Sequence, residues 1–455
     1  MNGMTSLWFR TALLGQGWAQ NVRLVLQAGR IARVAVDVPA RTEDEQHEIA
    51  VPGLSNVHSH GFQRAMAGLT EVAGPGEDSF WTWRELMYRF VDRLGPEEIE
   101  AVTAFAFMEM LESGFTRVGE FHYLHHDPSG APYANLGELT NRIAAAAQQC
   151  GIGLTLLPVL YAHANFGGLA PNPGQRRFIN DIDRFARLME ASHDAVKSLD
   201  DAVVGVAPHS LRAVTPEELN AAITLAPNAP IHIHAAEQTQ EVDDCIAWSG
   251  QRPVEWLLDH ASIDARWCLI HSTHLNAGET HRLAASGVVA GLCPITESNL
   301  GDGIFPALDY LTAGGAFGIG TDSNVLIDAA TELRTLEYSQ RLSYRRRNVL
   351  AGGEKRSTGR RLFDAALRGG AQAVGVKKAG LVEGAAADIV SLDPADPALL
   401  SRAGDALLDG WIFAARNRAV DCVWHYGRKV VSGGAHHQRA AIVARYSNVL
   451  TRLLA

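Results

Sequence analysis

The strongest constraint on the fold of this 455-residue sequence is an alternation of short apolar runs with longer amphipathic stretches. The apolar runs occupy residues 51–58, 117–122, 152–160, 203–207, 231–235, 267–271, 287–293 and 316–321. Such runs are typical of strands buried on both faces of a parallel sheet, and the stretches between them predict connecting helices. This pattern predicts an α/β fold, a closed (β/α)8 barrel of the TIM type. A doubly wound open sheet shares the alternation, but no glycine-rich phosphate-binding fingerprint supports it.

Both ends of the chain differ from its middle. The first fifty residues form short alternating segments broken by turns, and short strands are predicted again at 387–391, 411–413 and 420–432. The two ends are therefore predicted to build one small β-sandwich domain from residues 1–52 and 380–455. The catalytic barrel domain is predicted to span residues 53–379.

Charge and cysteine content exclude several classes of function. The formal net charge of −10 offers no basic field for phosphates, so a nucleic-acid partner is not expected. The five cysteines are far apart and include no C-x-x-C pair, which argues against a disulfide framework and predicts a reducing environment. No uncharged apolar run reaches the ~18 residues of a membrane span. We therefore expect a soluble cytoplasmic protein with no nucleic-acid or membrane partner.

Side chains suited to metal binding or proton transfer lie at the ends of several predicted barrel strands. They are His58 and His60 on the first strand, His232 and His234 followed by Glu237 on the fifth, His271 on the sixth and Asp322 on the eighth. The carboxyl ends of such strands share one rim, where catalytic groups gather. An H-x-H pair alone is weak evidence, since a buried histidine usually serves only a hydrogen bond. The joint placement predicts a metal-binding catalytic rim.

These residues belong to motifs that resemble the amidohydrolase superfamily over essentially the whole chain. The motifs are Pro52-Gly53-Leu54, His58-Ser59-His60, His234 to Glu237, His271 and Gly320-Thr321-Asp322-Ser323. The resemblance implies a distorted barrel with a β-sandwich made from both termini. It also implies one divalent metal ion held by His58, His60, His234 and Asp322. Members with two metal ions bridge them with a carboxylated lysine after the fourth strand, and because this sequence has no lysine there, a single ion per chain is expected.

Further stretches resemble one family within that superfamily, the deiminases that hydrolyse the formimidoyl group of N-formimidoyl-L-glutamate in histidine degradation. The stretches are residues 61–66, 80–84, 120–123, 209–212 and 297–303. The resemblance implies hydrolysis of a C–N bond of a linear amidine, which yields N-formyl-L-glutamate and ammonia.

This reaction needs a strong nucleophile at neutral pH and a proton for the departing ammonia. A metal-activated water is the expected nucleophile. His271 and Asp322 are predicted to orient and deprotonate that water, and Glu237 is predicted to protonate the leaving nitrogen.

A substrate with two carboxylates calls for planar guanidinium partners. Arg84 and Arg212 follow the first and fourth barrel strands and are predicted to bind the carboxylates of this small-molecule dicarboxylate. Gln63, Tyr123 and His209 are further candidates for substrate binding. The aromatic residues Phe80, Trp81 and Trp83 are interpreted as packing residues.

Two alternatives share these features. Another deaminase of the superfamily, acting on guanine, cytosine or a triazine, would use the same metal ligands with an uncharged aromatic pocket. A catalytically inactive barrel that serves only assembly would lack the metal, and the intact ligand set argues against it. Zinc is the expected ion, although nitrogen and oxygen ligands also suit iron and manganese. A homodimer is expected by analogy with the family.

Overall fold

The computed structural model describes residues 4–74, 76, 78–416 and 419–455. Over these residues the strands are β1 (Thr5–Leu14), β2 (Gly17–Gln27), β3 (Arg30–Ala35), β4 (Glu45–Pro52), β5 (Leu54–Ser59), β6 (Phe115–His122), β7 (Gly153–Leu160), β8 (Val203–Val204), β9 (Ala207–Pro208), β10 (Ile231–Ala235), β11 (Trp267–His271), β12 (Val289–Leu292), β13 (Ala316–Ile319), β14 (Ile389–Leu392), β15 (Val420–His425), β16 (Arg428–Ser432) and β17 (Ala435–His436). The α-helices are α1 (Phe80–Val91), α2 (Pro96–Glu112), α3 (Glu138–Cys150), α4 (Ile182–Ala195), α5 (Pro216–Thr224), α6 (Thr239–Ser249), α7 (Pro253–His260), α8 (Ala277–Ala285), α9 (Pro294–Leu300), α10 (Ala307–Thr312), α11 (Ala329–Tyr344), α12 (Thr358–Ala373), α13 (Asp405–Phe413) and α14 (Arg439–Leu454). Short 3-10 helices span Gly61–Met66 and Pro173–Gln175.

Parallel strands form the barrel in the order β10-β11-β12-β13-β5-β6-β7-β8, and β9 also pairs with β7. The sheet closes because the segment that contains β8 and β9 pairs with β10, through parallel bridges from Val206 to Ile231 and from Ser210 to His234. Each of the eight predicted runs contains barrel-strand residues. The predicted (β/α)8 barrel is therefore confirmed.

The first predicted run, 51–58, spans two different sheets. Its first two residues end β4, and the barrel strand β5 begins only at Leu54. Gly53 separates the two strands and donates its N–H to the carbonyl of Asp388 at 3.0 Å. A Cβ atom at Gly53 would lie 2.2 Å from the side chain of Thr116, so only glycine fits this crossing point.

The strands from the two chain ends form a second sheet, in the order β17-β16-β15-β14-β4-β1-β2-β3. The sheet curls, as one contact shows. The ring of Phe9 on β1 lies 6.2 Å from the ring of Trp424 on β15, although two strands separate β1 from β15. At its far edge Ile31 donates its N–H to the carbonyl of Ala385 at 3.0 Å. The inner face holds an apolar core of its own. The predicted small β domain from both termini is confirmed as one curled sheet, while the boundaries 1–52, 53–379 and 380–455 stay a prediction.

Two C-terminal helices pack against the barrel. The strand predicted at 411–413 is wrong, because these residues end α13, where Leu407, Leu408, Trp411 and Ile412 are buried at helical spacing. Three apolar residues alone cannot distinguish a strand from a buried helix. Helix α14 packs on α2, and its Tyr446 stacks on Phe105 with the ring centroids 4.0 Å apart. Within the described ranges, every helix is too short or too polar to cross a lipid bilayer.

Candidate metal centre and active-site cavity

Left-handed backbone turns shape the rim at the carboxyl ends of the barrel strands. Ala236, His271 and Asp322 have φ angles of 52°, 67° and 45°. Residues other than glycine rarely adopt such angles, and they cluster at functional sites when the surrounding structure holds them. The turn at Ala236 follows β10 and places Glu237 on the wall of the same cavity as His234. Local strain thus gathers side chains that strand alternation alone would separate.

The side chains of His58, His60, His234 and Asp322 form one buried cluster. The Nε2 atoms of His58 and His60 lie 3.3 and 3.2 Å from Oδ1 of Asp322. His234 Nε2 lies 3.1 Å from His58 Nε2. Three imidazole nitrogens and one carboxylate oxygen converge on one point, which is the donor set of a divalent metal site.

Contacts behind the cluster fix the orientation of two of the rings. His60 Nδ1 donates to the carbonyl of Phe121 and His234 Nδ1 to the carbonyl of His209, both at 3.0 Å. This arrangement leaves a lone pair on each Nε2 that faces the cluster, as in histidines that bind metals. Burial lowers the pKa of His58 to about 3 and the pKa of His234 well below its usual value, so both rings are neutral. The residues present therefore fit a divalent metal ion.

Glu237 and His271 form a second buried group beside this cluster. His271 Nε2 lies 3.6 Å from Glu237 Oε1 and 3.9 Å from Asp322 Oδ2, and His271 Nδ1 lies 3.3 Å from Glu297 Oε1. Burial alone would lower the pKa of His271, but the nearby carboxylates, first that of Glu237, raise it to about 10. Burial raises the pKa of Glu237. A raised pKa favours the protonated form of a carboxyl group, which suits Glu237 to carry a proton.

A cavity opens over these groups. It is lined by all five residues predicted to bind substrate, Gln63, Arg84, Tyr123, His209 and Arg212, and by His60, His234, Glu237, His271 and Asp322. Gln63 donates to the hydroxyl of Tyr123 at 2.8 Å. Burial raises the pKa of Tyr123 well above its usual value, so its hydroxyl keeps a proton that it can donate to a ligand.

Two arginines face this cavity from neighbouring positions. The guanidinium carbon of Arg84 lies 4.5 Å from the ring centroid of Trp81, and that of Arg212 lies 5.9 Å from it. Arg212 Nη2 is 3.8 Å from Glu237 and 3.9 Å from Glu241, beyond hydrogen-bonding distance. The Nε atoms of both arginines are buried and have no hydrogen-bond partner among the described residues. Both guanidinium groups can therefore donate hydrogen bonds to a ligand carboxylate.

Some residues at or near the site were not predicted from the sequence, or lie elsewhere than the sequence pattern suggested. Phe80 and Trp83, which were interpreted as packing residues, also line the cavity, and the ring of Phe80 packs 6.1 Å from that of Trp83. Glu297, which contacts His271, lay inside a motif that carried the family resemblance, but no role was predicted for it. His232 does not join the cluster, because its Nε2 donates to the carbonyl of Ala373 at 2.7 Å.

A (β/α)8 barrel with a His3Asp cluster on its rim defines a class of metal-dependent hydrolases. The model of the Amidohydrolase family matches residues 49–430, so this chain belongs to the amidohydrolase family, and the predicted resemblance is confirmed. A second model, described as the N-terminal domain of formimidoylglutamate deiminase HutF, matches residues 4–48.

Individual relatives agree with this assignment. The chain is 49% identical over 453 residues to a formimidoylglutamate deiminase of Pseudomonas aeruginosa, which covers 99% of this chain and 100% of the relative. It is 56% identical to an amidohydrolase from Brucella melitensis of known crystal structure, with a TM-score of 0.96 and coverage of 99% and 100%. An 8-oxoguanine deaminase of Pseudomonas aeruginosa is 28% identical over 469 residues, with coverage of 99% and 100%.

Proposed function

We propose that this protein hydrolyses N-formimidoyl-L-glutamate to N-formyl-L-glutamate and ammonia. The observation that carries the proposal is one cavity that holds both a metal-competent His3Asp cluster and two arginines with unused hydrogen-bonding capacity. The similarity to the Pseudomonas aeruginosa deiminase over the full chain supports the same substrate.

The two arginines account for the two carboxylates of the substrate. The guanidinium groups of Arg84 and Arg212 both lie near the indole ring of Trp81, and both arginines line the cavity. A guanidinium fork binds a carboxylate through two parallel hydrogen bonds. Purines and pyrimidines carry no carboxylate and would leave the hydrogen-bonding groups of the buried Arg212 and the half-buried Arg84 without a partner, which favours a dicarboxylate over these ligands.

Gln63, Tyr123 and His209 surround the remaining polar part of the substrate in this proposal. The Tyr123 hydroxyl accepts from Gln63, and its own proton faces only the sulfur of Met87 at 3.9 Å, a weak acceptor that a substrate oxygen or nitrogen can replace. Burial lowers the pKa of His209 well below its usual value, so the ring is neutral. A neutral imidazole beside the arginines avoids adding a third positive charge to the pocket.

When bound to His58, His60, His234 and Asp322, a divalent cation would make water a competent nucleophile at neutral pH. The attacking water adds to the formimidoyl carbon, and its proton passes to a carboxylate within reach, Asp322 or Glu237. Glu237 passes both protons of the water to the terminal nitrogen in turn: the first gives the amino group of the tetrahedral adduct, and the second, taken from the adduct's hydroxyl as the carbonyl forms, lets that group leave as ammonia when the C–N bond breaks. His271, whose pKa is raised by its carboxylate neighbours, donates a hydrogen bond that orients the attacking water.

We assign one metal ion to each chain, with zinc as the expected ion. The cluster supplies four nitrogen and oxygen ligands, a set that suits zinc and also admits iron or manganese. At the position after the fourth strand, where a bridging lysine would be needed, the sequence has Ala207-Pro208-His209.

A cytoplasmic setting and a homodimer complete the proposal. All five cysteines are free and buried, which supports a reducing compartment. The homodimer stays a prediction, and light scattering of the purified protein measures it directly.

The proposal is tested by measuring ammonia release from N-formimidoyl-L-glutamate, guanine, cytosine and N-formyl-L-glutamate with the metal-loaded enzyme. We expect turnover of N-formimidoyl-L-glutamate alone. Glu237→Gln, assayed beside the wild type, controls for deiminating activity from a contaminant. Ammonia release from guanine or cytosine, without release from the formimidoyl compound, would overturn the proposal in favour of a nucleobase deaminase.

A further inference from the structure

The turn that carries Glu237 is held by a carboxylate that the reaction described above does not use. Ala236 and Glu237 leave the β10 ladder at the left-handed turn, and their backbone N–H groups point to the first turn of α6. There Glu241 accepts both, with Oε1 3.2 Å from Ala236 N and Oε2 3.1 Å from Glu237 N. Glu241 is only 1% exposed, so neither N–H is left to water.

The same carboxylate lies near Arg212, the arginine proposed to bind a substrate carboxylate. Glu241 Oε2 lies 3.9 Å from Nη2 of Arg212, and that nitrogen lies 3.8 Å from Oε2 of Glu237. The buried guanidinium therefore sits between two carboxylates without a hydrogen bond to either. Glu241 lowers the cost of burying the Arg212 charge but leaves its N–H groups to a ligand.

We infer that Glu241 is a positioning residue. It keeps Glu237, which carries the proton, and Arg212, which binds the substrate carboxylate, in place relative to each other. It fixes the turn at Ala236 and Glu237 by accepting one hydrogen bond from each backbone N–H, and one of its oxygens lies close to the charge of Arg212. The inference rests on the proposed function, because it gives Glu241 its effect through Glu237 and Arg212. It adds to that function a residue on α6 that is not itself among the residues lining the cavity.

A purely structural role is the alternative, and the chain offers a matched example of it. Glu279 at the start of α8 is 3% exposed and accepts from Asn276 N at 2.9 Å and from Glu255 N at 3.2 Å. It also accepts from Arg252 Nε at 2.7 Å. Glu279 is buried like Glu241 and has two backbone N–H partners and an arginine neighbour, but its partners Arg252, Glu255 and Asn276 do not line the cavity, whereas Glu237 and Arg212 do. Replacing Glu279 therefore measures the effect of losing a buried hydrogen-bonding carboxylate that has only a structural role.

The test compares the metal-loaded wild type, Glu241→Gln and Glu279→Gln in two measurements. The first is kcat for N-formimidoyl-L-glutamate, and the second is the dissociation constant of N-formyl-L-glutamate by calorimetry. For Glu241→Gln we expect kcat to fall ~10- to 100-fold, because a displaced catalytic group costs that much. Binding should weaken ~10-fold through Arg212. Glu279→Gln should stay within about twofold of the wild type in both measurements and differ only in melting temperature.

A double-variant cycle separates the two effects of Glu241. In an Arg212→Met background, Glu241→Gln should no longer weaken binding of N-formyl-L-glutamate, whereas the loss of kcat should remain because it acts through Glu237. If Glu241→Gln does not fold, Glu241→Asp replaces it, since the shorter carboxylate keeps the charge but cannot reach both N–H groups. Equal losses in the Glu241 and Glu279 variants, or a Glu241 variant with unchanged kcat and binding, would overturn the inference. A wild type that releases no ammonia would instead refute the proposed function, and the inference with it.

Discussion

Two buried arginines, one in the sheet of the chain ends and one on the barrel rim, meet their carboxylate neighbours in opposite ways. Arg23 donates to Asp44 through Nε and Nη2 at 2.8 to 3.0 Å and to the carbonyl of Pro39 at 2.6 Å. Arg212 stays 3.8 and 3.9 Å from Glu237 and Glu241. Both arginines are at most 6% exposed. Burial and nearby carboxylates are therefore common to the structural Arg23 and the binding-site Arg212. The difference is that Arg23 uses its hydrogen-bond donors within the protein, whereas Arg212 makes no hydrogen bond to its carboxylate neighbours.

The largest expected effect is the loss of activity when the divalent ion is removed from the rim. Chelation should lower kcat at least ~1000-fold, because a bound cation contributes several kcal/mol to such a reaction. One equivalent of zinc should restore it. The far-UV circular dichroism spectrum should not change, since the sheet of the chain ends depends on contacts such as that between Arg23 and Asp44. Elemental analysis that finds two equivalents in the fully active enzyme would contradict the single-ion assignment.

Glu237→Gln tests the proton carrier next to Arg212. The amide matches the carboxyl in size but cannot exchange a proton, so kcat should fall ~100- to 10,000-fold. Metal content and melting temperature should remain close to those of the wild type. Near-normal turnover with full metal would remove Glu237 from the reaction.

Arg23→Met tests the other half of the comparison. Removing one partner of a buried and fully hydrogen-bonded pair leaves Asp44 as an uncompensated charge, which typically costs ~3 to 5 kcal/mol of the free energy of unfolding. Urea unfolding monitored by tryptophan fluorescence measures this loss. The kcat/KM of the folded fraction should stay unchanged, and a fall in kcat/KM at constant stability would mean that the two regions are not independent.

A smaller effect is expected in the acid stability of the same pair. The Arg23 guanidinium holds the pKa of the Asp44 carboxyl well below its usual range. The folded state therefore binds fewer protons than the unfolded state below pH ~4, so the stabilisation from Asp44 is present above that pH and decreases as the pH falls further, by at most ~1.4 kcal/mol per pH unit. Urea titrations at several acidic pH values in the presence of a chelator should show this slope in the wild type and a shallower slope in Asp44→Asn. Equal slopes would exclude Asp44 as a source of the acid sensitivity.

Much of the fold could be predicted from sequence because barrel strands buried on both faces appear as apolar runs. The errors came where a short segment carries too little pattern, as at 411–413, or where one glycine separates two sheets, as at Gly53. The rim residues were predictable as a group because parallel strands end at one edge. Glu241 was not, because a glutamate in the first turn of a helix reads as an ordinary capping or dipole-compensating residue. Its contacts with Glu237 and Arg212 depend on a left-handed turn that no local pattern shows.

In the proposed reaction Arg212 keeps its hydrogen-bonding groups for a substrate carboxylate. A cycle that combines Arg212→Met with substrates in which one carboxylate of N-formimidoyl-L-glutamate is replaced by an amide measures this contact. If Arg212 binds that carboxylate, the amide should lower kcat/KM of the wild type by the equivalent of ~2 to 5 kcal/mol. The same replacement should change kcat/KM of Arg212→Met much less, at unaltered metal content. An equal loss in both enzymes for each amide, or wild-type kcat/KM in Arg212→Met, would contradict the claim and leave Arg84 as the only carboxylate partner.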